Sequence, residues 1–154
     1  MELISNMIEA HIFRQVKGKI EFLLLKRSET EIYPGIWQMV SGKIKSNEKA
    51  FETALREIKE ETGLVPKKFW VAPNINSFYL PEKDYISFLP VFAALVEEDS
   101  KVIISNEHSE FKWVRKEEAK KNLAWEGQRK SVDIICEYFT NEISFLNFVE
   151  IKLL

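Results

Sequence analysis

The run "IEFLLLKR", Ile20 to Arg27, limits the fold more than any other stretch of the chain. Phe22, Leu23, Leu24 and Leu25 are apolar in succession, whereas a strand with one wet face alternates apolar and polar residues. Such a strand is buried on both faces, so the sheet that holds it must be covered by helices on each side. The run "MIEAHIFRQV" precedes it. Between them lies "KGK", where Gly18 supplies the tight-turn residue, and the two runs read as a hairpin.

Downstream, Pro34 and Gly35 mark a loop that leads to a short strand at "IWQMV". A long helix begins near Asn47 and stops at Gly63, the usual left-handed residue past a helix end, with Pro66 barring extension. "KKFWVAPNINSFYL" and "YISFLPVFAALVEE", separated by "PEKD", read as two more strands, with Pro73 and Pro90 blurring their limits. "FKWVRKEEAKKNL" reads as a strand turning into a short helix, and "EGQRKSVDIICEYF" as an amphipathic helix. The last twelve residues fit a strand or a helix equally. No repeat or linker interrupts the pattern, and 154 residues suit one domain spanning 1–154. The expected class is α/β, a mixed β-sheet sandwiched between α-helices.

Composition narrows the function. A formal charge of −2 argues against a domain that grips a nucleic-acid backbone by bulk electrostatics. Glu2 and Glu9 interrupt the N-terminal segment, which does not read as a signal peptide, and "ISFLNFVEIKLL" is too short and too charged to span a membrane. The chain is expected in the cytoplasm. Cys136, the only cysteine, falls at helical spacing among apolar residues and reads as a buried core thiol.

The chemistry concentrates in "GKIKSNEKAFETALREIKEETGL", Gly42 to Leu64. At about 100° per residue, Ala50, Phe51, Ala54, Leu55 and Ile58 form the core stripe of the helix. Glu57, Glu60 and Glu61 occupy the adjoining face at i, i+3, i+4, where three carboxylates reach a common point. Alone, "EIKEE" reads first as a solvated helix face. As a site, three anions so close call for a hard divalent cation such as Mg²⁺, which takes oxygen ligands and shares its shell with substrate phosphates.

The longer frame, G-x5-E-x7-R-E-I-K-E-E-T-G-L, resembles the Nudix box at every fixed position, from Gly42 and Glu48 through Arg56, Glu57, Ile58, Glu60 and Glu61 to Gly63 and Leu64. The resemblance extends over nearly the whole chain and implies the Nudix fold and a hydrolase of the MutT-like kind, cleaving a nucleoside diphosphate linked to another moiety. It makes Glu57, Glu60, Glu61 and the Gly42 carbonyl the ligands of Mg²⁺, with Mn²⁺ as an alternative. Arg56 would anchor the helix to the loop and orient Glu57 as the catalytic base, with Glu48 supporting it. Asn47 and Ser41 stand where many relatives have Gly, and Asn tolerates the positive φ the loop needs.

Family members often add a glutamate from a downstream loop. Here "SNEHSEFKWV" offers Glu107 as a further ligand or the base. His108 reads as a loop residue or a support behind a ligand, not a ligand itself, since no second histidine lies at metal spacing and Mg²⁺ prefers oxygen, and His11 as structural. Lys43, Lys26 and Arg27 are candidate phosphate contacts, and Trp37 a candidate base-stacking residue, with Phe78 and Tyr79 behind it. "IWQMVSGK" together with the "EH" segment looks like bacterial nucleoside-triphosphate and dihydroneopterin-triphosphate pyrophosphohydrolases. "IEFLLLK" with "ETALRE" is also similar to diadenosine tetraphosphate hydrolases, but "QMVSGK" lacks the Pro-rich stretch usual there. The expected partner is therefore a small nucleotide, first a nucleoside triphosphate, then a dinucleoside polyphosphate, and last a ligand bound without hydrolysis.

Overall fold

A computed structural model describes residues 1–140 and 148–153. Its elements run β1 (Glu2–Ile4), β2 (Met7–Val16), β3 (Lys19–Arg27), β4 (Trp37–Gln38), β5 (Val40–Lys43), α1 (Ala50–Thr62), β6 (Lys68–Leu80), β7 (Tyr85–Leu95), β8 (His108–Val114), α2 (Lys116–Asn122), α3 (Glu126–Thr140) and β9 (Val149–Ile151). The sheet follows the order β4-β3-β2-β7-β6-β9. It is mixed, because β2 and β7 run parallel whereas β2–β3 and β6–β7 are antiparallel.

The β2–β3 hairpin turns through Lys17 and Gly18, both at positive φ, which matches the twist of the flanking strands. Leu23 and Leu25 of β3 enter one core with Ile8, Ala10 and Ile12 of β2 and Ala54 and Ile58 of α1. Phe22 and Leu24 point the other way, into a second core with Phe13, Trp70, Val132 and Ile135. The apolar run is therefore buried on both faces, as the sandwich requires. Cys136 belongs to the second core, and burial pushes its thiol up to about 11.

Several boundaries differ from the sequence reading. "IWQMV" is divided at Met39: Trp37–Gln38 pairs with β3, whereas Val40–Lys43 pairs with β2. α1 starts at Ala50, since Asn47 sits at φ 65 in the preceding loop, and Glu52 accepts the Lys49 amide at 2.9 Å to close the first turn. Gly63 ends the helix at φ 73. Within the last twelve residues, Val149–Ile151 form a strand on β6, while 143–147 and 154 lie outside the described residues. β1, unforeseen in the sequence, adds a parallel edge to β7.

His11 lies on the α3 side of β2, fully buried, with Nε2 unpartnered. Burial lowers its pKa from 6.5 to about 4. The unfolded chain binds a proton near pH 6.5 and the folded chain does not, so stability is complete above 6.5 and declines as pH falls towards 4. Glu9, raised by the same burial, acts in the opposite sense as pH rises. Urea unfolding across this range should show His11→Gln losing less stability than wild type on acidification, by about 3 kcal/mol. Parallel pH profiles would remove His11 as the cause.

Candidate active site

Ile58 and Ala54, both fully buried, fix the rotation of α1 about its axis, and that rotation decides where its carboxylates go. Glu61 is carried inward to 3% exposure, whereas the Glu57 and Glu60 side chains are 15% and 54% exposed. The three line a cleft of about 220 Å³ with Ser105, Asn106 and Glu107.

The second wall arrives because residues 103–108 dock on the C-terminal end of α1. The Ile103 and Ser105 amides donate to the Thr62 and Glu61 carbonyls at 2.9 and 3.3 Å, using acceptors a helix end leaves free. The His108 amide donates back to the Ser105 carbonyl at 3.2 Å, and the Ser28 amide to the Glu107 carbonyl at 3.0 Å. Glu107 is thereby turned towards Glu57 and Glu61.

Arg56 ties the cleft to the preceding loop. Its Nε and one terminal nitrogen donate to Glu48 at 2.7 and 2.9 Å. The same terminal nitrogen reaches the Lys43 carbonyl at 3.1 Å, and the other reaches Glu57 Oε1 at 2.7 Å and Glu60 Oε2 at 3.2 Å. Arg56 and the Thr53 hydroxyl draw the Glu48 pKa down to about 2. Gly42 completes the cradle: a Cβ there would stand 2.4 Å from Glu57 Cδ, so only glycine lets β5 pass so close to this carboxylate.

The resulting field is strongly negative. Burial, then the neighbouring charges of Glu57 and Glu107, push Glu61 up to about 10, with Arg27 opposing. Glu107 is raised by burial and by Glu31, Glu57 and Glu60. Glu61 Oε2 and His108 Nδ1 are buried without a hydrogen-bond partner. Crowded carboxylates beside orphaned buried polar atoms fit a divalent cation, with Glu60, Glu61 and Glu107 as oxygen donors and Glu57, expected from the sequence as a further ligand, held at Oε1 by Arg56 beside them.

The remaining candidates divide between the two faces of the sheet. Arg27 acts electrostatically on Glu61 and Glu107, while its own Nε donates to the Ile32 carbonyl. Lys43 ends β5 beside Gly42, with its carbonyl on Arg56. Lys26 pairs with Glu110 at 3.1 Å and lies over Trp37 at 5.9 Å, and Lys112 covers the same ring at 4.3 Å. Trp37 packs on the α3-side core, so it and Lys26 do not line the acidic cleft. Phe78 and Tyr79 belong to the β6–β7 hairpin end, where the Tyr79 hydroxyl donates to Asp84. His108, read as a loop residue or a support behind a ligand, is buried against Glu61, and the sequence reading missed that Tyr33 stands edge-on to Trp125 at 5.7 Å although both are exposed. Exposed aromatics next to "PG" and ahead of "EGQ" were the available signal for that pair.

The NUDIX domain family matches residues 9–133. Over 109 residues the chain is 29% identical to the Caenorhabditis elegans bis(5'-nucleosyl)-tetraphosphatase (asymmetrical), covering 70% of this chain and 77% of that protein. It is 32% identical over 104 residues to the Rattus norvegicus protein of the same name, covering 65% and 67%. The solved structure of the E. coli dihydroneopterin triphosphate pyrophosphohydrolase superposes with a TM-score of 0.71 over 84% of this chain and 94% of that one; at 20% identity this is a likeness of fold.

Proposed function

The chain belongs to the Nudix family and is a Nudix hydrolase, and we propose that it cleaves a dinucleoside polyphosphate in an asymmetrical, metal-assisted hydrolysis. The convergence of Glu57, Glu60, Glu61 and Glu107 on one cleft carries the hydrolytic reading. The two tetraphosphatases at 29% and 32% identity support the substrate class, and on that support we rank it ahead of the nucleoside triphosphate that the "QMVSGK" segment favours.

The chemistry that bound Mg²⁺ or Mn²⁺ supplies here is neutralisation of phosphate oxygens and a lowered pKa for the attacking water. The chain's residues do the rest. Glu60 and Glu61 from α1, Glu107 from the docked loop and the Gly42 carbonyl would hold the cation. Arg56 fixes one oxygen of Glu57, and its other oxygen takes the proton of the attacking water. The water oxygen forms a bond to one phosphorus, the bridging P–O bond breaks, and the leaving phosphate keeps that bridging oxygen. Arg27, whose charge acts on Glu61 and Glu107, and Lys43, next to Gly42, are the candidate cationic contacts for the phosphates. The exposed Tyr33–Trp125 pair, on a loop that starts at Arg27 and just ahead of α3, offers a stacking surface for a base.

Diadenosine tetraphosphate, nucleoside triphosphates and dihydroneopterin triphosphate assayed side by side with Mg²⁺ decide the substrate. The expected result is the highest kcat/KM for the dinucleotide, split into mono- and triphosphate. Preference for a triphosphate with release of pyrophosphate would establish the second reading, and no turnover of any would leave a binding module.

The base assignment separates Glu57 from a ligand. Glu57→Gln should lose about 10²–10⁴ in kcat and stay low at saturating Mg²⁺, whereas Glu61→Gln should regain activity as Mg²⁺ rises. Near-normal turnover of Glu57→Gln at high metal moves the base to Glu107.

A further inference from the structure

His108 has no part in the chemistry described so far, yet its side chain is only 1% exposed and lies against the acidic cluster. Nε2 lies 3.0 Å from the Gln38 side-chain amide of β4. Nδ1 faces the carboxylates, 3.7 Å from Glu61 Oε1, and has no hydrogen-bond partner; neither has Glu61 Oε2. One ligand atom each from Glu61, Glu107 and His108 lies within 4.8 Å of the other two. Burying a polar atom without a partner forfeits its hydrogen bonds to water, so two at one point call for an occupant.

The chemistry of the surroundings selects that occupant. A direct ring-to-carboxylate hydrogen bond is excluded at 3.7 Å. A water would satisfy one nitrogen and one oxygen but brings no positive charge to a buried group of carboxylates. A divalent cation answers all three groups together. Ligands about 2.1 Å from an ion stand about 3.0 Å apart when adjacent and 4.2 Å when opposite, so a set within 4.8 Å closes on an ion through small side-chain rotations. Gln38 completes the arrangement. Half a turn of its amide presents the oxygen to Nε2–H, which leaves the Nδ1 lone pair directed at the cleft, the arrangement by which ligating histidines are oriented.

We propose that His108 Nδ1 binds the cation directly, together with Glu61 and Glu107, making one position of the cleft a mixed nitrogen–oxygen site that favours Mn²⁺ and later transition ions over Mg²⁺. The inference rests on the metal-dependent reading above and adds a nitrogen ligand to it. A change of selectivity follows, because Mg²⁺ is suited by oxygen donors, whereas imidazole suits transition ions, whose affinity rises along the row from Mn²⁺.

Pulsed electron paramagnetic resonance of Mn²⁺ bound to the full chain tests this without any assay of turnover. The wild-type spectrum should carry the ¹⁴N modulation of a directly bound imidazole, and His108→Asn should bind Mn²⁺ without it. In competition titrations, His108→Asn should reduce the ratio of Mn²⁺ to Mg²⁺ affinity by about tenfold or more, whereas a histidine that merely supports Glu61 would weaken both ions alike. Should the variant fail to fold, the wild-type spectrum decides alone. Mn²⁺ bound with no ¹⁴N coupling overturns the nitrogen ligand and leaves metal-dependent hydrolysis standing; absence of Mn²⁺ binding, with or without nucleotide, overturns both.

Discussion

The fork of Arg56 is the contact on which the rest of the cleft depends. One guanidinium spans Glu48 and the Lys43 carbonyl on the loop side and Glu57 and Glu60 on the helix side. A flexible ammonium could not do this, since the planar fork presents five donors in fixed directions. The link to Glu48 survives mild acid, because the Glu48 pKa is drawn down to about 2: its contribution is complete above the unfolded value of 4.5 and fades as pH falls towards 2. With the loop held, Gly42 lies against Glu57 where no side chain fits. The position of one carboxylate is thus determined from three directions, by the core beneath Ile58, by Arg56 and by the bare backbone of Gly42.

That rigidity carries an electrostatic penalty. Glu61 is buried beside Glu57 and Glu107, and the structure answers by favouring its protonated form, up to about 10. A cation reverses the preference, because charge that is repulsive among carboxylates alone becomes ligand strength around an ion. Arg27 already opposes both raised carboxylates but is engaged with the Ile32 carbonyl and Glu31, so it moderates the field without cancelling it.

The sequence makes legible what is decided locally. The hairpin follows from Gly18, the end of α1 from Gly63, and the carboxylate face from spacing along a helix whose core stripe is unambiguous. The sandwich follows from Phe22 to Leu25, whose apolar run the two cores confirm. What stays hidden is decided across the sheet. Lys26 and Arg27 are neighbours, but Lys26 follows the two-residue alternation of Phe22 and Leu24 to the α3 side, where it meets Glu110 and Trp37. Arg27 follows the alternation of Leu23 and Leu25 to the α1 side instead, where it acts on the cleft. For His108 the sequence leaves a loop residue and a support behind a ligand both open, because it cannot show that the preceding loop folds onto the end of α1 and buries the ring. The break at Met39 is hidden for a similar reason, since the two halves of "IWQMV" pair with different strands.

The central claim is that the acidic cleft is a divalent-cation site that the folded chain alone possesses. Unfolding free energy in urea, measured for metal-free protein and then with increasing Mg²⁺, tests it most directly. The account predicts stability rising with the logarithm of metal concentration, by about 2.7 kcal/mol at a hundredfold excess over Kd. Identical unfolding curves with chelator and with millimolar Mg²⁺ or Mn²⁺ would contradict it.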